Sequence, residues 1–244
     1  MTDAPVVRRV TDPNDAALDE FGAIQRAVYY DQGSLIPPEW FGRLLEDAAG
    51  ARINFLIVAE RNGHVLGGAL FHYLAEADSG FSSFMGVAHQ ARGQGISRAL
   101  HRKRFEVLNE AAGHAVPGVF IDVVNPTRMD EAELAAEDRV GMDPFSRLKI
   151  FQHLGFGRVD IRYEQPVGGP NGGPVTRLDL LYCPQRPADT IPTAYVVATL
   201  RAYWSGWLGL ERAGYFARQL EQRAEGRTEL ALVPPAIVPP SRLP

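Results

Sequence analysis

The chain has 244 residues and a formal net charge of −4, room for one sizeable core or one domain with an appendage, and a poor match to a general nucleic-acid binder. Its single cysteine, Cys183, excludes internal disulfides and any cysteine-based zinc site. No apolar run approaches the ~20 residues of a membrane span, and the opening Met-Thr-Asp-Ala-Pro lacks a signal-peptide layout, so a cytoplasmic protein with no membrane or nucleic-acid partner is expected.

In chain order, Val6 to Val10 reads as a first strand, and Asp15 to Tyr29 places Leu18, Phe21, Ile24 and Val28 at helical spacing. Pro37-Pro38 opens a short helix through Trp40, Leu44 and Leu45. Asn54 to Glu60 and Val65 to Leu74 form a hairpin around Asn62-Gly63. Phe81 to Val87 is a strand, Ser97 to Ala112 a helix and Val119 to Val124 another strand. Residues 127–143 hold six acidic side chains against two arginines, which predicts an exposed acidic insertion, either a solvated linker or a lid favouring a cationic amine. A helix follows at Pro144 to Leu154, then strands at Asp160 to Gln165 and Leu178 to Cys183 around the Pro- and Gly-rich loop 166–174. An antiparallel meander, a crossover helix and a further strand imply a mixed sheet carrying helices.

Residues 84–100 carry the most chemistry. Gly93 and Gly95 permit a turn with positive φ that brings backbone N–H groups toward one anion, and the helix that follows points its N-terminal N–H groups at the same place. Between Gln90 and Phe105 stand Arg92, Arg98, Arg102, Lys103 and Arg104 with no acidic residue, a bias suited to a ligand with several phosphates. Neither a Walker loop nor a Gly-x-Gly-x-x-Gly fingerprint fits, since Arg98 takes the third glycine position.

The stretch Gln90-Ala91-Arg92-Gly93-Gln94-Gly95, after Val87 and before Ile96, Ser97 and Arg98, resembles the acyl-CoA loop of the GNAT superfamily of N-acyltransferases. Leu148 to Phe156, with Gly155-Phe156 at its end, is similar to that family's second signature. The resemblance spans roughly residues 5–183. It implies an α+β fold with a mixed, largely antiparallel sheet of about six to seven strands, acetyl-CoA as cosubstrate, no metal, and direct attack by a small-molecule or protein amine. It also implies cofactor contacts from Met85, Gly86 and Val87, including oxyanion donors on their backbone, from the loop residues Gln90 and Arg92 to Arg98, and from Asn125 and Phe151. The family's usual tyrosine, which protonates the departing sulfur, is here Phe151, so a catalytically reduced acyl-CoA-binding or sensing protein is the alternative.

Asp122 is the first candidate base, because a carboxylate inside the apolar run Val119 to Val124 is costly unless paired or used. His72 and Glu76 are further candidates, and Tyr163 or Tyr182 could replace the missing acid. Beyond Cys183, Ile191 to Ser205 and Leu208 to Ala224 read as two helices whose Tyr203, Trp204 and Trp207 need a cover. That cover is either their own domain or a second copy, so the chain is expected as a monomer or homodimer. The expected division is a domain at 1–185 and a helical extension with a Pro-rich tail at 186–244.

Overall fold

A tight hairpin organises the first half of the sheet. Strands β2 (Arg52–Arg61) and β3 (His64–Leu74) pair antiparallel across Asn62 (φ 53°) and Gly63 (φ 76°), the positive pair that a two-residue primed turn requires. In the computed structural model, which describes residues 4–46, 50–169 and 173–235, β1 (Val6–Val10) adds outside β2, and β4 (Ser79–Val87) adds beyond β3. The β3–β4 register slips between Leu70 and Phe71, so that Ser83 is the extra residue of a bulge on β4.

Parallel pairing of β4 with β5 (Gly118–Val124) is confined to Gly80 opposite Val119 and Phe81 opposite Phe120. Past that point the two strands part and leave a gap in the middle of the sheet. Antiparallel pairs then continue from β5 to β7 (Leu178–Pro184), β6 (Gly157–Val159), β9 (Glu229–Val233) and β8 (Thr190–Pro192). Among the described residues the sheet has nine strands in the order β1-β2-β3-β4-β5-β7-β6-β9-β8, more than expected, because β6, β8 and β9 are short strands made by pairing rather than by pattern. The expected strand at 160–165 is absent; only Gln165 bridges, to Val175. Loop positions 170–172 and the Pro-rich tail from residue 236 lie outside the described residues.

Alternation along the strands divides the core. Phe55, Ile57, Phe71, Val119 and Ile121 face α3 (Ile96–Ala112) and α5 (Pro144–His153). On the opposite face, Leu56, Val58 and Leu70 meet α1 (Ala17–Val28) and α2 (Phe41–Glu46). Phe81, Phe120 and Leu180 on that face are covered by α6 (Thr193–Arg223), which is broken at Gly209 (φ 76°, ψ 165°) rather than at Gly206.

The acidic segment is not a solvated linker. Asp130 and Glu133 form a reciprocal capping box that starts α4 (Glu131–Arg139). Glu137 is 1% exposed and paired with Arg147, while Glu133 pairs with Arg177 at 3.0 Å. Two of the segment's six carboxylates are thus matched by arginines outside it, and Asp130 and Asp143 cap α4 and α5, which leaves less charge for a lid that attracts cations.

Candidate active site

Where β4 and β5 part, a cleft of about 1210 Å³ opens through the sheet. Its α3 side is built from the glycine turn: Gly93 (φ 76°) and Gly95 (φ 78°) hold the left-handed conformation that favours glycine, and a β-carbon built on either meets nothing within 4 Å. Gly95 is the N-cap of α3, so the first N–H groups of that helix have no intrahelical partner. Arg92 donates one Nη1 bond to the Gly141 carbonyl, while its buried Nε and Nη2 have no partner. Burial first, then the neighbouring Arg147 charge, lower the Arg92 pKa.

The expected cofactor residues divide on this wall. Met85, Gly86, Val87, Arg92, Gly93, Gly95, Ile96, Ser97, Arg98 and Phe151 line the cleft. Gln90 and Gln94 do not: Gln94 donates to the Gln90 carbonyl at 2.8 Å and accepts from Arg61 at 2.9 Å. Asn125 is also off the wall, because its amide donates to Asp179 (2.8 Å) and its oxygen caps Thr127. The basic helix contributes less than its composition suggests. Arg104 is fully buried, with its guanidinium 5.6 Å from the Phe156 ring centroid, and Lys103 is engaged with Glu106 at 3.0 Å.

Two features of the gap were not foreseen. The Tyr29 hydroxyl accepts from the Met85 N–H (3.2 Å) and donates to the Met85 carbonyl (3.1 Å), so the backbone expected to supply an oxyanion donor is engaged there. Tyr203, from α6, stacks on Phe81 with centroids 3.6 Å apart and lines the same cleft.

Asp122 lies on the α6 side, two residues beyond Phe120. Its Oδ2 lies 3.1 Å from the Tyr163 hydroxyl, whose one proton it shares with Gln165 Oε1 at 2.8 Å, and among the described residues no cation lies within 4.0 Å of it. Burial pushes its pKa up to about 6, with the Tyr163 bond opposing. Tyr163 itself is buried under α6, stacked toward Trp204 and away from the cleft wall. Burial and the Asp122 charge raise its pKa well above 10, so it orients Asp122 and cannot reach a thiol in the cleft. Tyr182 is buried against Phe120 and Tyr195, and Glu76 is exposed on a turn outside the cleft.

His72 is saturated. Asn54 donates its amide to the Leu44 carbonyl (2.9 Å), so its Oδ1 accepts the His72 Nδ1–H at 2.8 Å and fixes the tautomer. His72 Nε2 then accepts from Ser83 Oγ (2.7 Å) and Arg52 Nη2 (2.9 Å), and Ser83 accepts from the Tyr203 hydroxyl at 3.0 Å. Burial, then the Arg52 charge, hold the His72 pKa well below 6.5. With no lone pair free, it is not a base.

No group of three or more His, Cys, Asp or Glu among the described residues is placed to hold a metal, and none of their helices is long and apolar enough to cross a membrane. No curated protein matches the sequence. Among solved structures, Ard1 from Thermoplasma volcanium is 14% identical with a TM-score of 0.50, covering 76% of this chain and 100% of that one. The IAA acetyltransferase from Bacillus cereus is 15% identical (TM-score 0.44; 74% and 99% covered). A GNAT family acetyltransferase from Elizabethkingia anophelis, with acetyl-CoA bound, is 17% identical (TM-score 0.45; 75% and 99% covered). The first likeness shows a shared fold. Residues 18–129, from α1 through the glycine turn to just past β5, match the model of the acetyltransferase (GNAT) family.

Proposed function

We propose that the protein transfers an acetyl group from acetyl-CoA to the nitrogen of a primary amine by direct attack. One observation carries this reading: a single cleft joins the unpaired N–H groups at the start of α3, the gap between β4 and β5, and the cation-free carboxylate of Asp122. Acetyl-CoA would supply a thioester. The backbone of Gly93 to Arg98 would bind its pyrophosphate with the help of Arg92, whose buried Nε and Nη2 lack an acceptor, and Phe151 would wall the gap beside the pantetheine arm.

Asp122 is the base in this scheme and Tyr163 its positioning residue. A carboxylate with a pKa near 6 cannot strip a free ammonium of pKa ~10.4 outright, a gap of roughly 6 kcal/mol. Against an α-amino group at ~8 the gap is only roughly 3 kcal/mol, and it closes as the C–N bond forms and the nitrogen proton becomes acidic. Negative charge developing on the thioester oxygen would fall beside the β4 edge at Met85, whose N–H would exchange its bond to the Tyr29 hydroxyl for one to the oxyanion.

The reading is tested by thiol release over an amine panel together with calorimetry of CoA. Gly93→Asp forces a side chain into a φ of 76° and puts a negative charge in the anion site, so CoA affinity should fall at least ~100-fold. CoA that gives neither heat nor thermal stabilisation at millimolar concentration would sink the proposal. Phe151 favours the second reading, a catalytically reduced acyl-CoA-binding or sensing protein, because its ring faces Phe156 at 5.5 Å and offers no proton. A thiol of pKa ~8.5 leaves without help at neutral pH. Phe151→Tyr should therefore leave CoA affinity within a few fold and raise turnover if protonation of sulfur limits the rate. Turnover with any amine discards the pure binding reading.

A further inference from the structure

We infer that the acceptor amine also carries a carboxylate, as an amino acid or short peptide does, and that Arg52 receives it. This rests on the acyltransfer reading and adds the acceptor's class. Arg52 comes from β2 and reaches into the cleft on its α6 side. Its guanidinium donates only to neutral atoms: Asn54 Oδ1 (3.3 Å), the Tyr203 carbonyl (3.4 Å) and His72 Nε2 (2.9 Å). Among the described residues no carboxylate comes within 4.0 Å of it, and part of its five-donor fork is left over.

Other arginines of the cleft sharpen the contrast. Arg147 is neutralised by Glu137, and Arg177 by Asp31 and Glu133. Those without a carboxylate among the described residues stand at two places: Arg92 and Arg98 by the glycine turn, where a phosphate would sit, and Arg52 on the acceptor side. A desolvated cation that lacks a counter-charge is costly, and a planar fork is the preferred receiver of a carboxylate. The slot is also shaped for it, since a β-carbon on Gly206 would lie 2.6 Å from Arg52 Nη1.

The geometry couples this cation to the reacting centre. Arg52 touches His72, His72 touches Ser83, and Ser83 touches the Tyr203 hydroxyl. Continuing the register of Phe81 opposite Phe120 sets Ser83 level with Asp122 across the gap. Arg52 and Asp122 thus flank one patch of hydroxyls, the arrangement that holds a molecule by its carboxylate while its nitrogen faces the base.

The test compares matched acceptors: phenylalanine with phenylalaninamide, β-alanine with β-alaninamide, and alanyl-phenylalanine with its amide. The acids should exceed their amides in kcat/KM by ~10- to 100-fold, the range expected of a charge-assisted pair of hydrogen bonds. Arg52→Gln should bring the ratio to within about twofold, with CoA affinity confirming that the variant is folded. If that variant does not fold, Gly206→Ala, which displaces the guanidinium, should lower the same ratio. Amides used as well as acids by the wild type would overturn the inference. If no amine is turned over, the acyltransfer reading fails, and calorimetry of N-acetylphenylalanine against its amide, with CoA present, still decides. Selective binding of the acid, lost in Arg52→Gln, upholds the carboxylate site, and equal or absent binding of both refutes it.

Discussion

Asp122→Asn should cut turnover at least ~100-fold, the low end of what a general base contributes, and should make the protein more stable at pH 8. The two effects share one cause. Burial holds the Asp122 pKa near 6 against an ordinary 3.8, so between those values the unfolded chain has lost a proton that the folded chain keeps. Stability therefore falls as pH rises from about 4 to about 6 and stays at the lower level above, a cost of about 3 kcal/mol at most. Asp122 is only half-buried, and solvent in the cleft reduces the cost to on the order of 1–2 kcal/mol. Asparagine removes the charge while its oxygen still accepts from Tyr163. The variant's melting temperature should rise by roughly 3–6 °C at pH 8 and match the wild type below pH 4. His72 tilts the profile the other way, since its pKa is held down and stability is lost as pH falls through 6.5, but that contribution cancels in the comparison. In the wild type kcat/KM should climb through an acid limb near pH 6, and the limb should vanish in the variant. A variant equally active, or less stable at pH 8, would remove Asp122 from the role of base.

How much of this was legible in the sequence differs by residue. The glycine turn was, because Gly93 and Gly95 act through local backbone geometry. So was Asp122, because a carboxylate inside Val119 to Val124 is anomalous whatever surrounds it. Arg52 and Tyr203 were not, since they meet across 151 positions of chain and each has an ordinary local reading, an arginine at a strand end and a tyrosine in a packing stripe. Tyr29 meets Met85 across 56 positions for the same reason. The acidic segment misled because composition counts charges without their partners, and Glu137 is paired with an arginine ten positions away on the next helix. Short strands such as Gly157–Val159 exist only because β7 and β9 flank them, a fact that no periodicity of three residues can carry.

A chain ending after Cys183 should lose its fold rather than a detachable appendage. Without α6, the face bearing Phe81, Phe120 and Leu180 is bare, and without β9 the edge of β6 is unpaired. Trp204, 1% exposed, is covered within its own chain, so no second copy is needed to shield it. Trp204→Ala alone should cost about 3–5 kcal/mol, the range for emptying a buried indole site, read as a lower urea midpoint at unchanged slope. Trp207, at 36% exposure on the cleft rim, should cost much less when truncated and should act on acceptor KM instead. Light scattering separates the roles of the helix: Trp204→Glu should unfold and aggregate the protein, whereas clean conversion of a dimer into a folded monomer would place that face at an interface. A truncated chain as soluble and as stable as the full one would refute the central packing argument, because the sheet would then have no need of the helix that delivers Tyr203 to the cleft.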